Sequence, residues 1–202
     1  MGIKIEKSFQ VKEPVEVVWR FLSDIRKVGS CVPGAQITEQ IAEDRYKGAI
    51  SVKVGPAVTD FKGEVQVLRL DPEAHAIELL GKGQDIRGKG SASMKMTGSL
   101  VALPDGGTEV KSVSEVNLVG LLAQMGGRVI NEVSNIMFQQ FSKNFQEKLE
   151  QEVKEGKLAE PTGVGPKPIN AVSVAFSAIK AAVRRSPKPD LESKDEPEAE
   201  AQ

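Results

Sequence analysis

The chain is poor in the residues that carry most protein chemistry. Its 202 residues include one cysteine, Cys31, one histidine, His75, one tryptophan and one tyrosine, and aromatics make up 4% of the whole. A single cysteine excludes an internal disulfide and any iron–sulfur or zinc site built from several cysteines. A single histidine leaves metal catalysis without a ligand set, and gives a Cys31 nucleophile only one imidazole to draw on. His75 follows Asp71-Pro72-Glu73 at a turn and reads as a surface side chain. No basic block is interleaved with aromatics, so no nucleic-acid partner is expected. The start, Met1-Gly2-Ile3-Lys4-Ile5-Glu6, alternates apolar and charged residues at once, unlike a secretory signal, and Glu6 sits where myristoylation needs Ser or Thr. The expected location is the cytoplasm.

Hydrophobic residues make up 40% of the chain, enough for one domain of roughly 150 residues with its own core. Ile3, Ile5, Phe9 and Val11 alternate with polar residues as in a half-buried strand. Pro14 suits the first turn of a short helix whose apolar face is Val15, Val18, Trp19 and Leu22, ending near Gly29, Pro33 and Gly34. Five or six strands follow. Tyr46 to Val54 alternates, Gly55-Pro56 turns, and Phe61 to Val67 alternates again. Asp71-Pro72 turns, Ile77 and Leu79 mark a short strand, Ala92 to Leu100 alternates, and Pro104-Asp105-Gly106-Gly107 precedes a last strand from Thr108 to Val119. From Leu121 to Val153 the period becomes helical, with a stripe of Met125, Val129, Val133, Ile136, Met137, Phe141, Phe145 and Leu149. Strands followed by one long helix predict an α+β domain with the helix on one sheet face. A strongly curved sheet around such a helix leaves a hydrophobic cavity between them.

The candidate lining of that cavity is Ile50, Phe61, Val65, Met94, Met96, Met125, Val129 and Val133. Flexible thioethers suit an elongated apolar ligand, and equally suit ordinary core filling. Gly48, Gly63 and Gly98 fall at inward positions, where glycine permits a bend or close approach, or withholds side-chain volume from the interior. Lys7 shares the inward register with Ile5 and Phe9, and either snorkels to the rim or meets a polar ligand group. Gly83 to Gly90 is a near miss for a phosphate-binding loop: Gly90 replaces the Ser or Thr, and strands flank it where a helix should follow. It reads as a loop between antiparallel strands. For an enzyme the interior offers few polar groups, only Tyr46, Glu39 and Lys7, so no catalytic residue is assigned.

Past residues 1–155 the chain changes character. Residues 156–168 form a Pro/Gly-rich linker, 169–185 an apolar segment, and 186–202 an acidic end expected to be disordered by composition. Asn170, Ser173, Ser177, Lys180 and Arg184 make one narrow polar stripe on a helix, and nearly everything else from Ile169 to Val183 is apolar. Pro161 to Arg185 carries four basic residues and no acid, whereas Ser186 to Gln202 has six acids against Lys188 and Lys194. Three readings follow: a transmembrane span, docking on the protein itself or on a partner, and lying in the membrane interface. The helix would span roughly 22 Å against about 30 Å for a bilayer core, which disfavours the first. Ile169, Val172, Val174, Phe176, Ile179 and Val183, half buried, contribute about 1 kcal/mol each. The basic residues Lys180, Arg184 and Arg185 strengthen contact with anionic lipid. Ordering the segment offsets much of this. Weak, salt-sensitive attachment is the expected result.

The chain resembles the CoxG family of carbon monoxide dehydrogenase subunits, within the START-like or Bet v 1-like (SRPBCC) superfamily. The resemblance covers about residues 1–150. It rests on the order and spacing of Val32-Pro33-Gly34, Tyr46-Lys47-Gly48, Val54-Gly55-Pro56, Phe61-Lys62-Gly63, Gly81-Lys82-Gly83, Gly107-Thr108, Val119-Gly120 and a phenylalanine-rich final helix. It implies a helix-grip fold, in which about seven antiparallel strands clasp the C-terminal helix around a hydrophobic cavity. It also implies a non-enzymatic accessory of a molybdenum-containing dehydrogenase of the carbon monoxide dehydrogenase type. Such an accessory would recruit the enzyme to the inner membrane and carry a lipid such as an isoprenoid quinone, menaquinone or ubiquinone, with no covalent cofactor. The alternative is an adaptor or assembly factor that carries nothing.

Overall fold

In the computed structural model, which describes residues 2–54 and 57–158, seven strands form one antiparallel sheet. They are β1 (Gly2–Val11), β2 (Ala35–Ala42), β3 (Arg45–Val54), β4 (Ala57–Asp71), β5 (Ala76–Asp85), β6 (Gly90–Ala102) and β7 (Thr108–Gly120). Their order is β1-β7-β6-β5-β4-β3-β2, so every pair but β1–β7 is a sequence neighbour joined by a turn. The strand that the alternation pattern misses is β2. Its only large apolar residues are Ile37 and Ile41, and register shifts at Ile37/Glu39 and Gln40/Ala42 break the period of two. Bulges of this kind blunt an edge strand against stray pairing. β5 is longer than its apolar residues suggest. It runs through Gly81 and Gly83 to Asp85, so the near-miss phosphate loop is mostly strand, with only residues 86–89 turning.

Two short helices, not one, follow β1: α1 (Val15–Leu22) and α2 (Ile25–Cys31). Asp24 separates them, its carboxylate accepting from the amides of Arg26 at 3.0 Å and Lys27 at 3.2 Å as an N-cap does. Val17 and Phe21 are buried together with Val18, Trp19 and Leu22, so α1 hides more than the single stripe its pattern suggests. The terminal helical region is likewise broken, into α3 (Leu121–Gln124) and α4 (Gly126–Lys154). Gly126 has φ +80°, a left-handed conformation that interrupts a right-handed helix. α4 is about 44 Å long at the usual rise. Ile136, expected on its apolar stripe, is instead exposed.

The solid core lies where α1, α2 and the second half of α4 meet the sheet. Phe9 of β1 meets Phe138, Phe141 and Phe145 of α4 edge-on at centroid distances of 5.9, 6.1 and 5.4 Å, and Phe145 packs on Phe21 at 4.9 Å. Such pairs add to their area burial. Ile77, Leu79, Leu100 and Val110 of the sheet, and Leu149 of α4, complete this core. Leu158, just past the expected domain boundary at residue 155, is buried in it too. Side chains of α4 satisfy the carbonyls that α2 leaves open at its C-terminus: Asn144 donates to Cys31 O at 3.0 Å and Lys148 to Ser30 O at 2.8 Å. Lys27 and Glu152 form a part-buried ion pair at 2.6 Å between the same helices.

Candidate functional site

The candidate site lies on the inner face of the sheet, away from that aromatic anchor. Directly paired residues of antiparallel strands share a face, so the register traces this surface row by row. One row runs Tyr46, Val65, Gly81, Met94, Val116, Ile3. The next runs Gly48, Gly63, Gly83, Ala92, Leu118, and beyond it Ile50 pairs with Phe61. Four of the five residues in the second row have no side chain or a methyl group. The middle of the inner face is therefore short of side-chain volume.

The scarcity has a backbone cause. At Gly63 a Cβ would fall 1.9 Å from the carbonyl oxygen of Lys82 and 2.7 Å from Cα of Gly83. The strands fold so tightly at this point that only glycine fits. The resulting curvature carries the sheet round α4, which comes close to β1 on one side and β3 on the other.

The eight expected lining residues divide as follows. Ile50, Phe61, Val65, Met94 and Met96 all share the inner face, in rows joined by direct pairing. Phe61 is buried; the other four are half-buried. Met96 packs against the solid core, whereas the others lie outside it. Val129 and Val133 are half-buried on the N-terminal half of α4, and Met125 is half-buried at the break before it. Sequence reasoning set Tyr46 in the interior as a polar group and Ala92 on the face of Met94 and Met96, but counted neither among the lining residues, and it did not find Gly81, Gly83, Val116 and Leu118. The signal that finds Ala92 and Val116 is the alternation itself, but small or lone apolar residues in a strand do not announce a lining.

The polar groups of the interior do not converge. Lys7 donates to Oδ1 of Asn135 on α4, and its ammonium lies 5.9 Å from the Phe138 ring centroid, so it reaches the rim. Tyr46 Oη lies 3.3 Å from Nε2 of Gln40 near the far edge of the sheet, and Glu39 pairs with Lys47 at 3.1 Å in solvent. Ser112 and Ser114 are half-buried hydroxyls on the inner face beside Lys7 and Ile5, and Thr59 and Thr108 share that face toward its two ends. Cys31 is fully buried, burial pushes its thiol pKa up, and the thiol donates to Lys27 O at 3.4 Å. His75 is half-buried rather than on the open surface. Its ring meets Trp19 edge-on at 5.6 Å, and its Nε2 lies 3.1 Å from the Glu16 carboxylate. Among the described residues, no group of three or more His, Cys, Asp or Glu side chains is placed to hold a metal ion.

Two surface depressions accompany this interior. The larger, about 390 Å³, lies around Lys47, Lys62 and Glu64 of β3 and β4. These three side chains are exposed, and Gly48, Ala49 and Gly63 make up most of the rest of the lining. The smaller, about 150 Å³, reaches from exposed Val119 and Leu121 down to Phe61 on the inner face.

The family model of CoxG, a subunit of carbon monoxide dehydrogenase, matches residues 8–150, more than half of the chain. The chain belongs to the CoxG family. No curated protein matches it. Among solved structures, a conserved protein from Geobacillus kaustophilus is 23% identical, with a TM-score of 0.67, over 74% of this chain and 97% of that one. A START superfamily protein from Mycobacterium smegmatis is 15% identical, with a TM-score of 0.51, over 73% and 97%. The Zhui aromatase/cyclase from Streptomyces shares 15% identity and a TM-score of 0.50 over 81% and 100%. These likenesses establish the START-like fold of this CoxG member: a seven-stranded antiparallel sheet with a long helix following it. Membership points to an accessory role beside carbon monoxide dehydrogenase. Among the described residues no helix is long and apolar enough to cross a membrane. The expected linker beyond Leu158 and the membrane-seeking segment with Ile169, Val172, Phe176, Ile179, Lys180, Val183, Arg184 and Arg185 lie outside the described residues, as does the acidic end.

Proposed function

We propose that this CoxG protein is a non-catalytic carrier of an isoprenoid quinone, menaquinone or ubiquinone, serving a molybdenum-containing dehydrogenase of the carbon monoxide dehydrogenase type. The observation that supports this most is the inner row Gly48, Gly63, Gly83, Ala92. It withholds side-chain volume beneath a helix half whose own residues, Val129, Val133 and Met137, are only half-buried. Ile50, Phe61, Val65, Met94 and Val116 supply apolar walls to that space. A slender isoprenoid chain gains about 25 cal/mol per Å² of surface withdrawn from water there. Ser112 and Ser114 are donors within reach of the same face, suited to the carbonyl oxygens of a quinone head. Redox chemistry belongs to the dehydrogenase; the carrier moves its electron acceptor between enzyme and lipid. In this reading the protein works in the cytoplasm and on the inner membrane, with the segment 169–185 as a reversible tether to anionic lipid.

Filling the space separates carriage from a bare adaptor role. In Ala92→Phe the new ring points into the inner face. Titration of purified protein with menaquinone should show saturable binding in the parent and at least a tenfold weaker affinity in the variant, with unfolding still cooperative in urea. Equal affinity in both would remove the interior as the binding place. No binding by either would favour the adaptor.

A further inference from the structure

The end of the sheet farthest from the aromatic anchor has an unusual surface. The β3–β4 hairpin, the β5–β6 turn and the β7–α3 junction meet there around the smaller depression. Its rim carries large apolar side chains facing water: Val58 is 54% exposed, Val119 61%, and Leu121 is likewise exposed, as is Ile86 on the adjoining β5–β6 turn. Its floor reaches Phe61, which belongs to the inner face and is 7% exposed. The depression thus joins the outside to the interior.

Backbone bonds hold this rim in shape. The amide of Leu121 donates to Lys89 O at 3.0 Å and that of Ile86 to Asp60 O at 2.9 Å. The Asp85 carboxylate is buried and takes the amides of Arg87 at 2.9 Å and Lys89 at 3.1 Å. Cations outnumber acids here. Lys53, Arg87 and Lys89 are exposed around the opening, against two acids, Asp60 half-buried and Asp85 buried, so the exposed charge is positive. Exposed apolar residues ringed by free cations match the interface of an anionic bilayer, which offers phosphates and acyl chains at successive depths and demands no detailed shape.

We propose that this end of the folded domain docks on an anionic bilayer and holds the mouth of the interior against the lipid. The proposal rests on reading the interior as a lipid carrier, and it assigns membrane contact to the domain itself, separately from residues 169–185. A lipid passing between carrier and membrane then crosses little water, because Val58, Ile86, Val119 and Leu121 seal the contact around Phe61.

The test uses the full chain with a bimane label on cysteine at position 58 (Val58→Cys) or, as control, at position 68 (Leu68→Cys). The two positions lie near opposite ends of β4, about 30 Å apart. Cys31 is buried and stays unlabelled. Vesicles of phosphatidylglycerol and phosphatidylcholine carry brominated acyl chains, which quench a label only within the bilayer. The expected result is quenching at position 58 and none at 68, with the double variant Arg87→Glu/Lys89→Glu lowering the quenching and slowing menaquinone transfer to the vesicles about tenfold. Equal quenching at both positions, or a label at 58 that stays in water while the protein sediments with the vesicles, overturns the proposal. So does a failure to bind these vesicles at all, or a docked contact that resists the charge reversal and so belongs to another surface. Extraction of the same preparations keeps the carrier reading separate: protein without any lipid counts against carriage, while the quenching contrast alone decides docking.

Discussion

At the scale of single residues, Gly63 carries most of the geometry. The sequence marks it as an inward glycine, with bend, bulge and simple packing all open. The decisive fact is the carbonyl of Lys82, which a Cβ would strike, and no local pattern reveals a neighbour nineteen residues away. Gly63→Ala should therefore cost about 3 kcal/mol or more in urea unfolding, at the upper end of overpacking penalties. A change under about 0.5 kcal/mol, the size of an ordinary surface substitution, would mean that the strands part easily there. Cys31 makes a second prediction. Its folded pKa is raised by burial, so the folded chain keeps the proton after the unfolded chain has lost it. Stability should accordingly decline as pH rises above about 8.5, toward the raised folded value, and Cys31→Ala should flatten that slope. A disulfide-exchange reagent should leave the native thiol untouched and titrate it fully in denaturant. Rapid reaction in the native state would contradict the burial.

At the scale of elements, the packing of the folded domain is firm where α4 meets β1 and α1 and looser toward the start of α4. Phe145→Ala should cost about 4 kcal/mol, the usual range for a buried aromatic, because Phe9, Phe21 and Phe141 all lose a partner. Val133→Ala should cost about 1 kcal/mol or less, since its side chain is only half-buried. Similar costs at the two sites would deny this asymmetry. This asymmetry was half legible. The phenylalanines of the last helix mark its firm end in the sequence, and the inner face of β3, β4 and β6 follows from strict alternation. β2 was not legible, because bulges cancel its period and its apolar residues are few. Nor was the break before α4: Gly126-Gly127 sits inside an otherwise unbroken helical stripe, and tertiary context decides that Gly126 turns left-handed. Val17 and Phe21 escaped for a related reason, since a helix buried around most of its circumference has no single stripe to find.

At the scale of the whole molecule, three parts combine: an interior with little side-chain volume, a mouth ringed by valines and cations, and a tether expected from the segment 169–185. The first two were placed by long-range pairing, which a linear pattern supplies only through family resemblance. Attachment to anionic vesicles should be reversible and weaken steeply with salt, as exposed cations do when the screening length falls to about 8 Å at physiological ionic strength and below at higher salt. Sedimentation with phosphatidylglycerol vesicles across a salt series checks this, and salt-resistant binding would call for a deeply inserted anchor instead. The claim beneath all of these is that the interior carries lipid. Mass spectrometry of the organic extract from protein purified natively, without detergent, tests it most directly. The account predicts an isoprenoid quinone in near-equimolar amount, depleted in Ala92→Phe; protein that never yields an apolar molecule, with Ile50, Val65, Met94 and Val133 packed against one another in a filled interior, would contradict it.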